Sequence, residues 1–188
     1  TPRTALEQIA SGDLDPVYLV LGDDALEKAE MADAFEQVVD DGLRAFNVDR
    51  LYGGEASLRQ VIEAARTLPM MARRRIVIVT RAERCLAPER ESQSTAADLE
   101  AFEAYLADPQ PHASLILVAG NLDKRRHTTA RLLAAATVVT CGVIDTLADG
   151  ERWVRRRVSA EGLSIEPAAA RLLAAQAGPD LTRLRGDV

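Results

Sequence analysis

Five short apolar runs punctuate the chain, at 17–21, 48–51, 76–79, 115–119 and 137–140. Each is rich in Val, Ile and Leu, and most are continuous, not alternating. A strand covered on one face alternates apolar and polar positions, so continuous runs predict strands buried on both faces. Stretches with helical spacing lie between the runs, and the order reads β-α-β-α-β-α-β-α-β. That alternation predicts an α/β fold, a parallel sheet with helices on both sides.

The helix after the second strand is the best defined. Ser57 and Gln60 form a capping-box pattern that satisfies free N–H groups at a helix start. Leu58, Val61, Ile62, Ala65 and Leu68 follow at three- and four-residue steps, and Pro69 stops the helix. The stretch 87–97 is polar, with Pro88 and a Ser-Gln-Ser-Thr sequence, and reads as a mobile surface loop before a helix carrying Leu99, Phe102, Tyr105 and Leu106. Beyond Cys141 the β pattern ends. Residues 149–161 and 167–177 read as helices, the second with Pro167 in its first turn. Gly178-Pro179 closes it and Leu181 starts another, which Val188 leaves unfinished. An α/β domain over 1–142 is therefore expected, followed over 143–188 by a small helical domain that is cut short, as in a fragment.

Composition narrows the function classes. Of 188 residues, 47% are hydrophobic and 28% charged, as in a soluble globular protein. The formal net charge of −6 argues against DNA binding through a broad basic face of the isolated chain. Arginine greatly outnumbers lysine, which occurs only as Lys28 and Lys124, and this reads as genome composition. No apolar run approaches the ~20 residues that span a bilayer. No basic, apolar, small-residue sequence opens the chain, so a secretory signal is expected to be absent or already removed. Cys85 and Cys141 lie far apart and are not expected to make a disulfide framework or a four-ligand zinc site, and a reducing cytosol is the expected compartment.

A phosphate-binding loop needs G-x-x-x-x-G-K-[ST] between a strand and a helix: glycines let backbone N–H groups reach phosphate, lysine neutralises charge, and the hydroxyl holds magnesium. Here the stretch is Gly22-Asp23-Asp24-Ala25-Leu26-Glu27-Lys28-Ala29. Gly22 and Lys28 keep the register, Glu27 replaces the second glycine, and Ala29 replaces the hydroxyl. Three carboxylates would repel a polyphosphate. The alternative reading is a helix start whose acidic residues complement the helix dipole. In phosphate-loop ATPases the third strand ends in Asp-Glu, whereas here Thr80 and Arg81 follow it. Asn121, after the fourth run, sits where such enzymes carry a polar sensor, or is a turn former. His112, in a turn, and His127, at a basic helix start, have no partners at metal spacing. No acid–base pair stands out, and no catalytic residue, metal site or cofactor is expected.

The segment Leu68-Pro69-Met70-Met71-Ala72-Arg73-Arg74-Arg75 joins a capped helix to a strand, where polar residues are usual. Methionine is adaptable and polarisable, which suits a surface that fills another protein's pocket. Equally, Met70 and Met71 can close the local core while the arginines form a solvated rim.

Taken in order, Pro16-Val17-Tyr18-Leu19-Val20-Leu21-Gly22-Asp23-Asp24, Phe46-Asn47, Arg66-Thr67-Leu68-Pro69-Met70-Met71, Arg74-Arg75-Ile76-Val77-Ile78-Val79, Leu122-Asp123-Lys124-Arg125 and Gly178-Pro179-Asp180-Leu181 resemble the delta subunits of bacterial DNA polymerase III clamp loaders. The resemblance covers essentially the whole chain. It implies a RecA-like AAA+ core with a five-stranded parallel sheet and a degenerate nucleotide site at Gly22, Glu27, Lys28, Ala29 and Thr80, followed by a helical lid. The collar domain that holds the pentameric loader together is missing from this sequence. The resemblance further implies that Met70 and Met71, shaped by Leu68 and Pro69, insert into a pocket on the sliding clamp (beta) and open it, without intrinsic ATP hydrolysis. Relatives often have aromatic or leucine residues there, so two methionines are a departure that keeps the apolar character. The partners implied are the clamp, the gamma/tau and delta-prime subunits, and primed DNA, in the cytoplasmic replisome and not at a membrane.

Two other classes stay open. A phosphate-loop ATPase motor subunit would need the intact loop, an acidic strand end and a Ser-Arg-Cys finger. A DNA-binding regulator would use Lys124-Arg125-Arg126 and Arg155-Arg156-Arg157, read as lying on helices, where such clusters are more often solvated faces.

Overall fold

A computed structural model of the chain describes residues 1–88, 92–142, 144, 146–178 and 184. Contacts divide it into two compact units, Thr1–Cys141 and Gly142–Val188.

The first unit holds five strands, β1 (Val17–Gly22), β2 (Val48–Tyr52), β3 (Arg75–Thr80), β4 (Ala113–Val118) and β5 (Thr137–Cys141). They form one sheet in the order β2-β3-β4-β1-β5, with every pairing parallel. The continuous apolar runs have the expected cause. Side chains alternate across a strand, and each face has its own core. Leu19, Val77, Val79, Leu115 and Leu117 pack with residues of α4 (Leu58–Arg66), α6 (Gln93–Ala107) and α7 (His127–Ala135). Tyr18, Val20, Ile76, Ile78 and Ile116 pack on the other side with residues of α1 (Pro2–Ser11) and α2 (Ala25–Glu36). There the Tyr18 and Phe35 rings meet at 4.6 Å between centroids.

The capping box at Ser57 and Gln60 forms, and Leu58, Val61, Ile62 and Ala65 are the buried stripe of α4. Leu68 is not part of that stripe: α4 ends at Arg66, and Leu68 is exposed. Two short helices, α3 (Asp41–Asn47) and α5 (Glu83–Leu86), complete this unit. The expectation of a loop up to residue 97 fails, because Ser92 caps α6 and shares a capping box with Thr95. Residues 89–91 of that stretch lie outside the described ones.

The second unit carries α8 (Leu147–Ala160) and α9 (Pro167–Ala177). Helix α8 starts two residues earlier than its apolar pattern predicts, because Thr146 and Asp149 form a capping box. Trp153, Val154, Ala170 and Leu184 are among its core residues. Gly150 permits close helix packing, since a Cβ there would lie 2.9 Å from that of Ala174. The helix expected to start at Leu181 lies outside the described residues.

Candidate functional site: the two ends of the sheet

Within the first unit, the loop after β1 and the loop before β3 fall on opposite ends of the sheet, separated by the length of β3, about 17 Å. At the carboxyl end, the loop that resembles a phosphate-binding motif is occupied by its own bonds. Gly22 has φ +119°, and a Cβ on it would fall 1.9 Å from the carbonyl oxygen of Cys141. The glycine therefore serves the close approach of β1 to β5. Asp24 is buried and caps α2, its Oδ1 accepting from the backbone N–H of Glu27 at 3.0 Å. Lys28 turns across the sheet, its Nζ donating to the carbonyl of Ala119 at 3.2 Å. Ala29 is exposed. Thr80 Oγ1 donates to the Leu51 carbonyl at 3.3 Å, and Glu83 accepts from the Gly120 N–H at 2.9 Å while pairing with Arg81. Asn121 is exposed beyond β4.

Among the described residues, His127 Nδ1 lies 3.0 Å from the Glu103 carboxylate, which also accepts from the Thr128 hydroxyl. No group of three or more His, Cys, Asp or Glu side chains among the described residues could hold a metal. Burial pushes the Cys85 thiol up to about 11, and its Sγ donates to the Ala82 carbonyl. Such a thiol is a core group, not a nucleophile. Cys141 is likewise buried. No helix among the described residues is long and apolar enough to cross a membrane.

The basic triplet Lys124-Arg125-Arg126 does not lie on a helix, contrary to the expectation from the sequence. Lys124 and Arg125 form a turn, and Arg126 is the N-cap of α7. Arg125 is paired with Asp123, whose Oδ1 accepts from both the backbone N–H and Nε of Arg125 at 3.0 Å. These bonds hold the Asp123 carboxyl below its ordinary range. The second basic cluster does lie on a helix, α8, where Arg157 pairs with Glu161.

At the amino end of the sheet, the loop between α4 and β3 carries exposed apolar side chains on a firmly held backbone. Leu68 is 72% exposed, Met70 54% and Met71 87%, while Pro69 is half-buried. The two methionines therefore do not close the local core. Thr67 ends α4 with its N–H and hydroxyl directed to the Glu63 carbonyl. Met71 has φ 58°, a left-handed conformation uncommon for any residue but glycine.

The residue that holds this loop is Asn47, the last of α3. It is fully buried, and its Oδ1 accepts from the Met70 N–H at 2.6 Å. Its Nδ2 donates to the carbonyls of Met70 and Leu43, both at 2.9 Å. On the other side of the loop, Ala72 packs against the core beneath α2. Arg74 Nη1 donates to Ser114 Oγ at 2.9 Å, and that hydroxyl donates to the Asp15 carbonyl. Arg75 pairs with Asp49 at 2.7 Å and donates to the Phe46 carbonyl. Of the three arginines read as a solvated rim, only Arg73 is exposed. The other two fasten the loop to the sheet. Sequence reasoning placed Phe46-Asn47 in a family signature without a role, and no local signal tied Asn47 to a residue so far along the chain.

Comparisons with known proteins agree with this architecture. The family model for the DNA polymerase III delta subunit matches residues 18–142. DNA polymerase III subunit delta of Bacillus subtilis (strain 168) is 30% identical over 129 residues, which are 67% of this chain and 37% of that protein. The solved Bacillus subtilis DNA clamp loader delta protein superposes with a TM-score of 0.71 at 23% identity, over 100% of this chain and 56% of that one. A DNA polymerase III gamma subunit-related protein of Thermotoga maritima superposes with a TM-score of 0.52 at 16% identity, covering 95% of this chain and 58% of its own. The Thermotoga maritima RuvB Holliday junction branch migration motor does so with a TM-score of 0.52 at 15% identity, covering 97% and 56%. These likenesses show the fold, the AAA+ RecA-like class with a helical part after it. The chain spans about a third to a half of the relatives it matches. With a family model that covers most of its length and a curated relative of the same name, the chain belongs to the DNA polymerase III delta subunit family.

Proposed function

We propose that this chain is the clamp-engaging part of a clamp-loader delta subunit, and that Leu68, Pro69, Met70 and Met71 form the wedge that enters a sliding clamp. The observation that carries this reading is the exposure of Met70 and Met71 on a loop anchored on both sides. An apolar side chain held out in water on a fixed backbone has little to contribute to its own fold. It is preorganised for a partner's pocket, so that less ordering is lost on binding. The wedge favours an open ring by binding it better than the closed one, and that difference in affinity is the work available for opening.

ATP hydrolysis belongs to other subunits in this reading. Lys28 is engaged with the Ala119 carbonyl, and Ala29 and Thr80 stand where magnesium contacts would be needed. The second unit is read as a helical lid. The partners in the assembled holoenzyme would be the gamma/tau and delta-prime subunits and primed DNA, in the cytoplasm. Lys124, Arg125 and Arg126 are weaker candidates for phosphate contacts in that assembly.

The test is to titrate the chain with the sliding clamp of the same organism and to repeat the titration with Met70→Ala/Met71→Ala. Lost binding in a variant that melts as the parent does supports the reading. Undiminished binding overturns it.

A further inference from the structure

The loop from 68 to 73 is unusual in how little of its own structure holds it. Among the described residues, no backbone–backbone hydrogen bond involves these positions. The hydrogen bonds to their backbone come from one side chain, Asn47, twenty-three residues earlier in the chain. The next residue after the bracketed Met70 is Met71, at φ 58° and 87% exposed. Chirality disfavours that conformation for an L-residue, and such outliers persist where neighbours over-determine them.

We infer that Asn47 is a positioning residue for the clamp contact: its side-chain amide grips both sides of the Met70 residue and so presents Met71 outward. The inference rests on the wedge reading above. The chemistry requires an amide of this length. Met70 offers one N–H to be accepted and one carbonyl to be donated to, and an asparagine carries an acceptor and two donors. Both donors are used, the second on the Leu43 carbonyl inside α3, which fixes the amide plane against its own helix. Asn47 is fully buried and lies directly before β2, so its main chain is held by the sheet. The grip thus passes the rigidity of the sheet to a loop with no ladder of its own. Without it, Met70 and Met71 regain backbone freedom, and the clamp must order them on binding. Freeing one or two residues corresponds to about a tenfold to a hundredfold loss of affinity.

The experiment compares four chains: the parent, Asn47→Ala, Met70→Ala/Met71→Ala, and the triple variant. Affinity for the sliding clamp of the same organism and the thermal midpoint are measured on each. The expected result is a folded Asn47→Ala chain that binds about ten to a hundred times more weakly. In the Met70→Ala/Met71→Ala background the same change should have no further effect, because Asn47 acts through those side chains. Full binding by folded Asn47→Ala, with binding lost in Met70→Ala/Met71→Ala, overturns this inference and leaves the wedge standing. A fully additive loss in the triple variant overturns it as well, since Asn47 would then act apart from the wedge. Undiminished binding by Met70→Ala/Met71→Ala overturns the wedge reading, and the role of Asn47 with it. Asn47→Asp, which still accepts from Met70 N–H but turns an acceptor toward two carbonyls, should bind nearly as weakly as Asn47→Ala. Should neither variant at Asn47 fold, hydrogen exchange at the Met70 amide of the parent decides. Slow exchange supports the grip, and exchange as fast as at Arg73 overturns it.

Discussion

Asn47 and Met70 are joined by a reciprocal pair of hydrogen bonds, N–H to Oδ1 at 2.6 Å and Nδ2 to carbonyl at 2.9 Å, between a buried residue and a half-exposed one. Loss of the amide takes the partner from two backbone groups of the loop, while the Leu43 carbonyl, inside α3, keeps the helical N–H of Asn47. Leaving buried polar groups unpaired costs about 1–3 kcal/mol. Asn47→Ala should lower the urea midpoint by that order while the chain still folds, against a typical total of about 5–15 kcal/mol. No measurable shift would mean that water replaces the amide.

Met70→Ala/Met71→Ala should leave the thermal midpoint almost unchanged, since both side chains face solvent. Burying each in a clamp pocket is worth about 1.5–3 kcal/mol, so the double variant should bind about two to four powers of ten more weakly. Were these core methionines, each truncation would cost ~2–5 kcal/mol in stability. Calorimetry and a binding titration on one preparation separate the two.

Gly22→Ala should destabilise the first unit severely. The added Cβ would meet the Cys141 carbonyl oxygen at 1.9 Å, a distance backbone atoms cannot accommodate in place, and φ +119° is strained for alanine. Separation of β5 from β1 is the expected relief. It would appear as faster hydrogen exchange at 137–141 and a lower melting point.

ATP turnover by the chain should match a blank without protein. Lys28→Ala should alter stability and not activity, because its ammonium serves the Ala119 carbonyl. One such bond is worth about 1 kcal/mol or slightly more. A magnesium-dependent rate that disappears in Lys28→Ala would reverse this assignment.

Alkaline pH should unfold the first unit in a defined window. Burial raises Tyr18 from 10.0 to about 12 and Cys85 from 9.0 to about 11. A raised folded value means that the unfolded chain gives up its proton first. Stability is therefore intact below pH 9.0, and is lost as pH rises through about 11 and 12. Denaturant midpoints across that range should fall, and Tyr18→Phe should remove the later part of the fall. A flat profile would place both groups in contact with water.

Much of this was legible along the chain because it depends on near neighbours. Val17 to Leu21 and Ile76 to Val79 are continuous in apolar character since each strand has a core on both faces, and a strand's alternation spans two residues. The capping box at Ser57 and Gln60 is a three-residue relation, and the substitutions at Glu27, Ala29 and Thr80 are read directly against a fixed spacing. The same kind of local signal, Ser92 with Thr95, begins α6 where polarity alone suggests a loop. The remaining relations join residues far apart in sequence. Gly22 answers to Cys141, Lys28 to Ala119, Arg74 to Ser114 and Asn47 to Met70. Periodicity and capping act within a turn or a pleat, whereas these pairs exist because parallel crossovers bring distant strand ends side by side. Arg74 and Arg75 therefore look like surface charge until β2 and β4 are placed beside them, and the exposure of Met71 follows only once Asn47 has closed on the residue before it.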